Sequence, residues 1–260
     1  MGGKSSIIRR IKKYYDEGAY GGKSFLSFLK KPSLTLERCQ ALARWRFVLA
    51  TMQSYKPKTL DVCDVGAGYG CTLEIAKNIS LNVKYSAYES SPAFKKRIAK
   101  MNGTILPDLF QDHHPKSYDL VWASHILEHY ADPDILLKKM HRLMNEKGYG
   151  FIEVPCLDLE FKNDWAPHLL FFSVIGLNAA LARNGFKVLR SDSVGPLRKQ
   201  AASCFQGRVH KSTKLDKVKE IFKKQNDLKQ DLNRFSLLKE WNLENYGGER
   251  SWIRAIFCKG

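Results

Sequence analysis

Residues 60–70 read LDVCDVGAGYG, an apolar run that ends in three glycines at alternate positions. The residues that follow, Thr72 to Ile79, have the spacing of apolar side chains that is typical of a helix. Glycine lacks a Cβ atom, so it permits a tight turn and lets backbone amides approach a ligand closely. We therefore predict a strand, a glycine turn and a helix, with a ligand held at the turn.

Two acidic residues near this turn indicate which kind of ligand it holds. The glycines follow a Gly-x-Gly-x-Gly pattern, whereas a pyrophosphate-binding turn has Gly-x-Gly-x-x-Gly. Asp64 lies two residues before Gly66, and its carboxylate would repel a pyrophosphate but attract an ammonium or sulfonium group. Glu89 ends the next apolar run, where a carboxylate can accept hydrogen bonds from both ribose hydroxyls. The pattern predicts an adenosine that carries a cationic tail.

The chain from Thr59 onward predicts the fold class. Short β-branched or apolar runs alternate with helical stretches, which is typical of βαβ units and of a mostly parallel sheet. Seven strands are predicted, at Thr59–Val65, Val83–Tyr88, Gly103–Leu106, Tyr118–Ala123, Gly148–Val154, Phe186–Ser191 and Trp252–Cys258. We predict an α/β, Rossmann-like fold whose seven-stranded, mostly parallel sheet carries helices on both faces.

The rest of the chain is predicted to add helices to this fold. Residues 59–260 form the ligand-binding domain, with a helical insertion at 211–240 before the last strand. Residues 1–58 form a basic N-terminal helical extension, in which an amphipathic helix at 7–15 precedes the glycine-rich break GAYGG at 18–22. We expect this helix and this break to form a lid over the ligands. A second helix is predicted from after Ser33 toward Met52.

The positive charge of the chain lies mainly in its two flanks. The net charge is +17, and residues 1–58 hold 13 Lys and Arg against three Asp and Glu. Residues 59–158 hold 11 Lys and Arg against 13 Asp and Glu, so this stretch is close to neutral. The remaining net charge of +9 lies on residues 159–260. Basic flanks suit an anionic partner such as a phosphorylated small molecule, a nucleic acid or a membrane surface. The simpler interpretation is that they keep the protein in solution.

Bulk properties favour a cytoplasmic protein. The longest apolar run, Leu169 to Leu181, is interrupted by polar residues and is shorter than the roughly 20 residues that a membrane span needs. The six cysteines are scattered without paired spacing, which predicts reduced thiols rather than disulfides or a zinc site. Peripheral contact with a membrane stays open, and the sequence does not predict an oligomeric state.

Several segments together resemble the class I methyltransferases that depend on S-adenosylmethionine (SAM). DVGAGYG at 64–70 resembles the first motif of that family, and Glu89 the acidic second motif. The segments YDLV at 118–121 and SHILEHYADP at 124–133 resemble its fourth strand and following turn. The segment HLLFFS at 168–173 is similar to one found in the small-molecule branch of the family. The resemblance covers roughly residues 59–194.

The resemblance implies SAM as the cofactor and S-adenosylhomocysteine (SAH) as its product. It also implies a cofactor site at the carboxyl ends of the strands, with Asp108 beside the adenine and with Ser124 and His125 beside the methionine portion. Asp112 is an alternative to Asp108. The complete set of expected cofactor residues is Asp64, Gly66, Ala67, Gly68, Gly70, Glu89, Ser90, Asp108, Ser124 and His125.

Four residues are candidates for removing a proton from the methyl acceptor: His168, His125, Glu128 and His129. An imidazole titrates near neutral pH and a carboxylate can orient it, and we favour His168, then His125. The alternative for Glu128 and His129 is a purely structural role, in which their side chains stabilise the loop after the fourth strand. The same Glu-His pair resembles a divalent-metal position in some quinone O-methyltransferases. A further carboxylate precedes the pair there, and because His125 takes that position here, we predict no metal.

The resemblance implies an enzyme that methylates a small molecule. We expect the acceptor to be a hydroxyl of a sugar or of a phosphorylated or nucleotide-linked glycan intermediate, since the basic flanks suit an anionic substrate. One alternative is an RNA methyltransferase that binds its substrate through those flanks. A second alternative is a protein that binds SAM without turnover.

Overall fold

The computed structural model describes residues 34–55, 57–109, 116–158, 168–198 and 244–260. Seven strands form a single sheet in these residues: β1 (Leu60–Val65), β2 (Val83–Tyr88), β3 (Thr104–Ile105), β4 (Tyr118–Ser124), β5 (Met144–Pro155), β6 (Phe186–Leu197) and β7 (Arg250–Lys259). The helices are α1 (Leu34–Thr51), α2 (Cys71–Asn78), α3 (Pro92–Lys100), the 3-10 helix Leu127–His129, α4 (Pro133–Leu143) and α5 (Val174–Arg183).

The strand order is β3-β2-β1-β4-β5-β7-β6. The ladders that join β1 through β5 are parallel, whereas β7 runs antiparallel to both of its neighbours, β5 and β6. A short helix-bearing connection separates most consecutive strands, as expected for parallel pairs. The predicted α/β fold with seven strands in a mostly parallel sheet is confirmed.

The central position of β1 brings the glycine turn to an edge of the sheet. Val65, at the end of β1, lies opposite Tyr88 of β2 and Ala123 of β4. All residues of β1 except Asp61 are buried, because helices cover both faces of the sheet. The residues that directly follow β1, β2 and β4 therefore meet at one carboxyl edge, where ligands bind in open α/β sheets.

Aromatic side chains join α1 to one face of the sheet. Trp45 and Phe47 are fully buried, and their rings contact Trp122 of β4 and Phe151 of β5, with centroid separations of 5.0 and 6.4 Å. The indole nitrogen of Trp45 donates a hydrogen bond to the carbonyl oxygen of Thr72, the second residue of α2. Each buried aromatic ring stabilises the fold by roughly 1.5–3 kcal/mol, so α1 is part of the core.

The opposite face of the sheet is covered by α4 and α5. Their buried residues are Leu136, Leu137, Met140, Leu143, Leu177, Ala180 and Leu181. α4 begins at Pro133, and the Asp132 carboxylate caps it by accepting a hydrogen bond from the Asp134 amide. Ser173 caps α5 in the same way. Helices on both faces are therefore confirmed.

Some predicted segments lie outside the described residues: the helix at 7–15, the glycine break at 18–22 and the insertion at 211–240. The division into a lead segment and a ligand-binding domain stays a prediction. The second predicted helix is confirmed, since α1 starts directly after Ser33 and ends one residue before Met52. The five cysteines in the described part of the chain are all free thiols. No helix there is long and apolar enough to cross a membrane.

Candidate active site

The glycine turn after β1 has one side that no other described residue covers. Gly66, Gly68 and Gly70 all have positive φ, at 74°, 52° and 70°, a region that side-chain-bearing residues rarely adopt. A Cβ atom on Gly66 would clash with the side chain of Ile126, whereas one on Gly68 would meet no described atom within 4 Å. The turn is closed against the residues that follow β4 and open at Gly68, where a ligand can approach.

Glu89 is fixed at the end of β2 by the backbone of the turn. Its Oε2 atom accepts a hydrogen bond of 2.7 Å from the Gly68 amide, and its Oε1 atom accepts one of 2.7 Å from the Ser91 amide. The hydroxyl of Ser90 lies 3.4 Å from Oε1. Each carboxylate oxygen has a second lone pair, so Glu89 can still accept hydrogen bonds from a ribose.

Asp64 is buried beneath the turn, where its carboxylate accepts a hydrogen bond of 2.5 Å from the Tyr85 hydroxyl. Burial, with a smaller contribution from the charge of Glu89, raises the pKa of Asp64 to about 6, although the hydrogen bonds of Tyr85 and Thr72 and the Arg44 charge oppose this rise. A carboxylate whose ionisation is costly gains more than an exposed one from a cationic ligand.

The other expected cofactor residues also follow strands at this edge. Ser124 ends β4, and its Oγ atom is buried without a hydrogen-bond partner among the described residues. Such a hydroxyl suits a ligand that completes its hydrogen bonding. Asp108 is exposed and contributes, after burial, to raising the pKa of Tyr130 to about 12. Asp108 therefore lies within electrostatic range of the loop after β4, and Asp112 lies outside the described residues.

His125 follows β4 in an uncommon backbone conformation, with φ at 55°. Its Nε2 atom lies 3.0 Å from Oε1 of Glu153, and its Nδ1 atom lies 3.4 Å from Oε1 of Glu128. Burial alone would lower the pKa of His125, but the hydrogen bonds and charges of these two carboxylates raise it to about 9. An imidazole that keeps its proton at neutral pH is a poor base, which favours His168 for that role.

Glu153 of β5 is the centre of a buried ion network. It is fully buried, and it accepts hydrogen bonds from Nε of Arg44 at 2.7 Å and from Nε of Arg254 at 2.5 Å. Although burial alone would raise the pKa of Glu153, Arg44, Arg254 and His125 hold it well below its usual value. Glu153 therefore stays ionised at neutral pH, and the network joins α1, β5 and β7 to His125.

Glu128, His129 and His168 come together beside this network. Each residue offers one donor atom that lies within 4.8 Å of the other two. The 3-10 helix provides Glu128 and His129, and the Glu128 carbonyl oxygen accepts hydrogen bonds from the amides of Leu169 and Leu170. These bonds bring His168 to the helix, so that its ring centroid lies 5.0 Å from that of His129.

Asp158 adds a second carboxylate to this cluster. It is fully buried, and its Oδ2 atom lies 2.6 Å from Nδ1 of His168. The Leu157 amide donates to the Phe172 carbonyl oxygen at 2.9 Å, which holds the end of β5 beside the segment that carries His168. A carboxylate on Nδ1 orients the imidazole and directs its Nε2 atom outward, as in general bases and in metal-binding histidines.

The sequence analysis missed four residues of this region: Arg44, Glu153, Asp158 and Arg254. Two of them are single charges inside apolar strands, in GFIEVP at 150–155 and WIRAIF at 252–257. Asp158 follows the fifth strand in CLDLE at 156–160. A buried charge needs a partner, so the isolated charges in these strands were the available signal.

One protein family matches the part of the chain that carries this candidate site. The model of a family described as a methyltransferase domain matches residues 37–191, which is more than half of the chain. The match spans β1 through the first half of β6 and includes the glycine turn, Glu89 and the Glu128, His129 and His168 cluster. No curated protein sequence matches the chain.

Solved structures with a similar fold include three methyltransferases. Coclaurine N-methyltransferase bound to N-methylheliamine and SAH is 16% identical, with a TM-score of 0.55 over 100% of this chain and 90% of that one. The SAM complex of phosphoethanolamine N-methyltransferase 2 from Haemonchus contortus is 16% identical, with a TM-score of 0.54. The alignment covers 83% of this chain and 52% of that one. The plantazolicin methyltransferase BpumL, in complex with SAH, is 15% identical, with a TM-score of 0.53. The alignment covers 97% of this chain and 90% of that one.

The fold and the turn agree with these comparisons. Among the described residues, the turn is open at Gly68 and the buried hydroxyl of Ser124 has no hydrogen-bond partner, so a ligand at this carboxyl edge would find both space and a hydrogen-bonding group. The chain belongs to the methyltransferase domain family and is a class I SAM-dependent methyltransferase.

Proposed function

We propose that this enzyme methylates a hydroxyl of a small molecule, namely a sugar or a phosphorylated or nucleotide-linked glycan intermediate. The observation that carries the proposal is the His168 and Asp158 pair beside Glu128 and His129. A hydroxyl must lose its proton when it is methylated, and this cluster holds groups that can remove it. The net charge of +9 on residues 159–260 favours an anionic acceptor.

In this proposal the chain holds the cofactor through the residues at the carboxyl edge. Glu89 accepts hydrogen bonds from the ribose, and Asp64 attracts the ammonium group of the methionine portion. Asp108 lies beside the adenine, and Ser124 and His125 lie beside the methionine portion. Ala67, Gly68 and Ser90 line the turn through their backbone. The sulfonium of bound SAM supplies a methyl group that is already activated for displacement.

The acceptor site in this proposal adjoins the cofactor turn. Ile126 lies against Gly66, and Glu128 and His129 follow Ile126 by two and three residues. A hydroxyl held at this cluster would therefore lie next to the transferred methyl group. The chain contributes mainly by aligning the hydroxyl oxygen, the methyl carbon and the sulfur in one line, which lowers the barrier by restricting the reactants.

Two other functions remain as alternatives to this proposal. RNA methylation is favoured by the +10 net charge of residues 1–58. SAM binding without turnover would need only the cofactor residues. This alternative is less favoured, because it gives the pairing of His168 with Asp158 no chemical role. Amines are a third acceptor class, since two of the similar structures are N-methyltransferases.

The expected result of an acceptor screen is SAH release with hydroxyl compounds that carry a phosphate. The full chain would be incubated with SAM and with phosphorylated sugars, nucleotide sugars, small amines or RNA, and SAH would be measured. For the best acceptor, kcat/KM should change less than about threefold between about 50 and 200 mM salt, whereas binding through 6–10 RNA phosphates would weaken roughly 10³-fold or more. Turnover of RNA or of amines alone would contradict the proposal.

The affinity for SAM is expected to fall when the pH drops below about 6. Asp64 has a pKa of about 6, so the cation-binding carboxylate becomes protonated below that pH. Protonation should raise the Kd for SAM about tenfold between pH 7 and pH 5. Calorimetric titrations of the native chain and of Asp64→Asn test this, because the variant should bind weakly with little pH dependence.

A Glu89→Ala variant is the control for this pH dependence. It lacks the ribose-binding carboxylate, so it should bind SAM about tenfold more weakly and still lose affinity below pH 6. Equal affinity of the native chain at pH 7 and pH 5 would show that Asp64 does not meet the ammonium group.

A further inference from the structure

We propose that Glu128, His129 and His168 bind a divalent transition-metal ion of the Zn²⁺ type. The inference rests on the proposed function, because the ion would act on the acceptor hydroxyl. Two imidazoles and one carboxylate form a ligand set of catalytic zinc sites, which leave a fourth position for water or substrate. Imidazole nitrogens favour such an ion over Mg²⁺ or Ca²⁺, which prefer oxygen ligands.

The three donor atoms are already close enough to share an ion. They lie within 4.8 Å of one another, and Nε2 of His129 is 3.9 Å from Oε1 of Glu128. Zinc binds nitrogen and oxygen at about 2.0–2.2 Å in a tetrahedral arrangement, so an ion would draw the donors together by roughly 1.5 Å at most. Small rotations of the two histidine side chains are sufficient for this movement.

Glu128 gives an independent reason to place a cation here. Its side chain is fully buried, and its Oε2 atom has no hydrogen-bond or ion-pair partner among the described residues. The His125 imidazole lies 3.4 Å from the other oxygen, Oε1, and so offsets only part of the cost of burying this carboxylate. A metal ion between Glu128 and the histidines would give Oε2 the partner that a buried carboxylate oxygen needs.

Asp158 completes the pattern that metal-binding histidines show. It lies 2.6 Å from Nδ1 of His168. A carboxylate at Nδ1 favours the tautomer with the proton on that nitrogen, which leaves the lone pair of Nε2 available to an ion. Asp158 is fully buried and is not itself one of the three ligands. Glu128 and Asp158 together supply two negative charges beside the two histidines, which favours a cation at this position.

An ion at this site would change how the acceptor loses its proton. The hydroxyl would bind at the open position, where the positive charge lowers its pKa, and its proton would pass to solvent. The oxygen would then form a bond to the methyl carbon while the bond from carbon to sulfur breaks and its electron pair returns to sulfur, which yields SAH. His168 would be a ligand in this mechanism and not the acceptor of the proton.

Calorimetric titration of the chelator-treated full chain with Zn²⁺ alone tests the site without any acceptor. We expect binding with a Kd near or below about 1 µM. His129→Asn and His168→Asn should each weaken that binding at least about 100-fold, and Asp158→Asn should weaken it about 10–100-fold. His141→Asn is the matched control, because His141 lies on α4 outside the cluster and should leave the affinity unchanged. Titration with Co²⁺ adds a visible absorption spectrum that reports tetrahedral nitrogen and oxygen ligands.

Two results would overturn the metal site. One is the absence of Zn²⁺ binding tighter than about 100 µM, and the other is equal affinity in the native chain, His129→Asn and His168→Asn. Methyl transfer by the native chain would then proceed with His168 as a direct base. Failure of the proposed function looks different, since Zn²⁺ would bind at the cluster while no hydroxyl compound is methylated.

Discussion

A Glu153→Ala variant is expected to lose about 3–5 kcal/mol of its free energy of unfolding. Glu153 is fully buried and lies between two buried guanidinium groups, those of Arg44 and Arg254. Removal of the carboxylate would take away the negative charge that lies between both cations in a region of low dielectric, so their desolvation would be offset less well. Denaturation by urea at neutral pH, followed by circular dichroism, measures the loss.

Glu146→Ala is the matched control for this prediction. Glu146 belongs to the same strand as Glu153, but its side chain is 88% exposed and pairs with Lys259. Its replacement should change the free energy of unfolding by less than about 0.5 kcal/mol. A loss below about 1 kcal/mol in Glu153→Ala would mean that the two arginines find other partners, and the network would then have no large role in stability.

The same network connects stability to the cofactor edge. Glu153 accepts the amide of His125 at its backbone oxygen and lies 3.0 Å from the ring at its carboxylate. His125 therefore keeps its positive φ because both its amide and its imidazole are tied to β5. Loss of Glu153 would release the residue that we expect beside the methionine portion of SAM, so its effect on cofactor affinity should accompany its effect on stability.

The sequence predicts the fold because the information for it is local. All seven strands overlap their predicted segments, although β5 begins four residues earlier and β6 ends six residues later than predicted. α1 and α2 begin within one residue of their predicted starts. The glycine turn is also predictable, since positive φ at alternate positions requires glycine within one short stretch. Asp64 and Glu89 are predictable for the same reason, because each lies at a set number of residues from the turn: Asp64 two before Gly66 and Glu89 at the end of the next strand.

The ion network and the histidine cluster depend on contacts that no local pattern contains. Arg44 and Glu153 are separated by 109 positions in the chain, and Arg254 and Glu153 by 101. Asp158 and His168 approach each other only because the chain returns to the end of β5. The sequence therefore indicates His168 as a candidate, but it cannot show that Asp158 orients it or that Glu128 lies beside it.

A His168→Asn variant is expected to lower kcat by about 10²–10⁴ at saturating SAM. His168 has Asp158 on Nδ1 and lies in the cluster with Glu128 and His129. We propose that it takes part in removing the acceptor proton, either as a base or as a metal ligand. Asparagine fills a similar space but has no nitrogen that titrates near neutral pH. Release of SAH at saturating SAM and acceptor measures kcat, and calorimetry should show a Kd for SAM within about twofold of native.

Three further variants separate the two roles of His168. His141→Asn should keep native activity, because His141 lies on α4, outside the cluster. Asp158→Asn should lower kcat less than His168→Asn does, since the imidazole remains but loses its orientation. A loss of kcat in His129→Asn comparable to that in His168→Asn indicates a shared metal ion, whereas a loss in His168→Asn alone indicates a base. A folded His168→Asn variant that keeps kcat within about tenfold of native would mean that the acceptor arrives already able to attack the methyl group, as a neutral amine does.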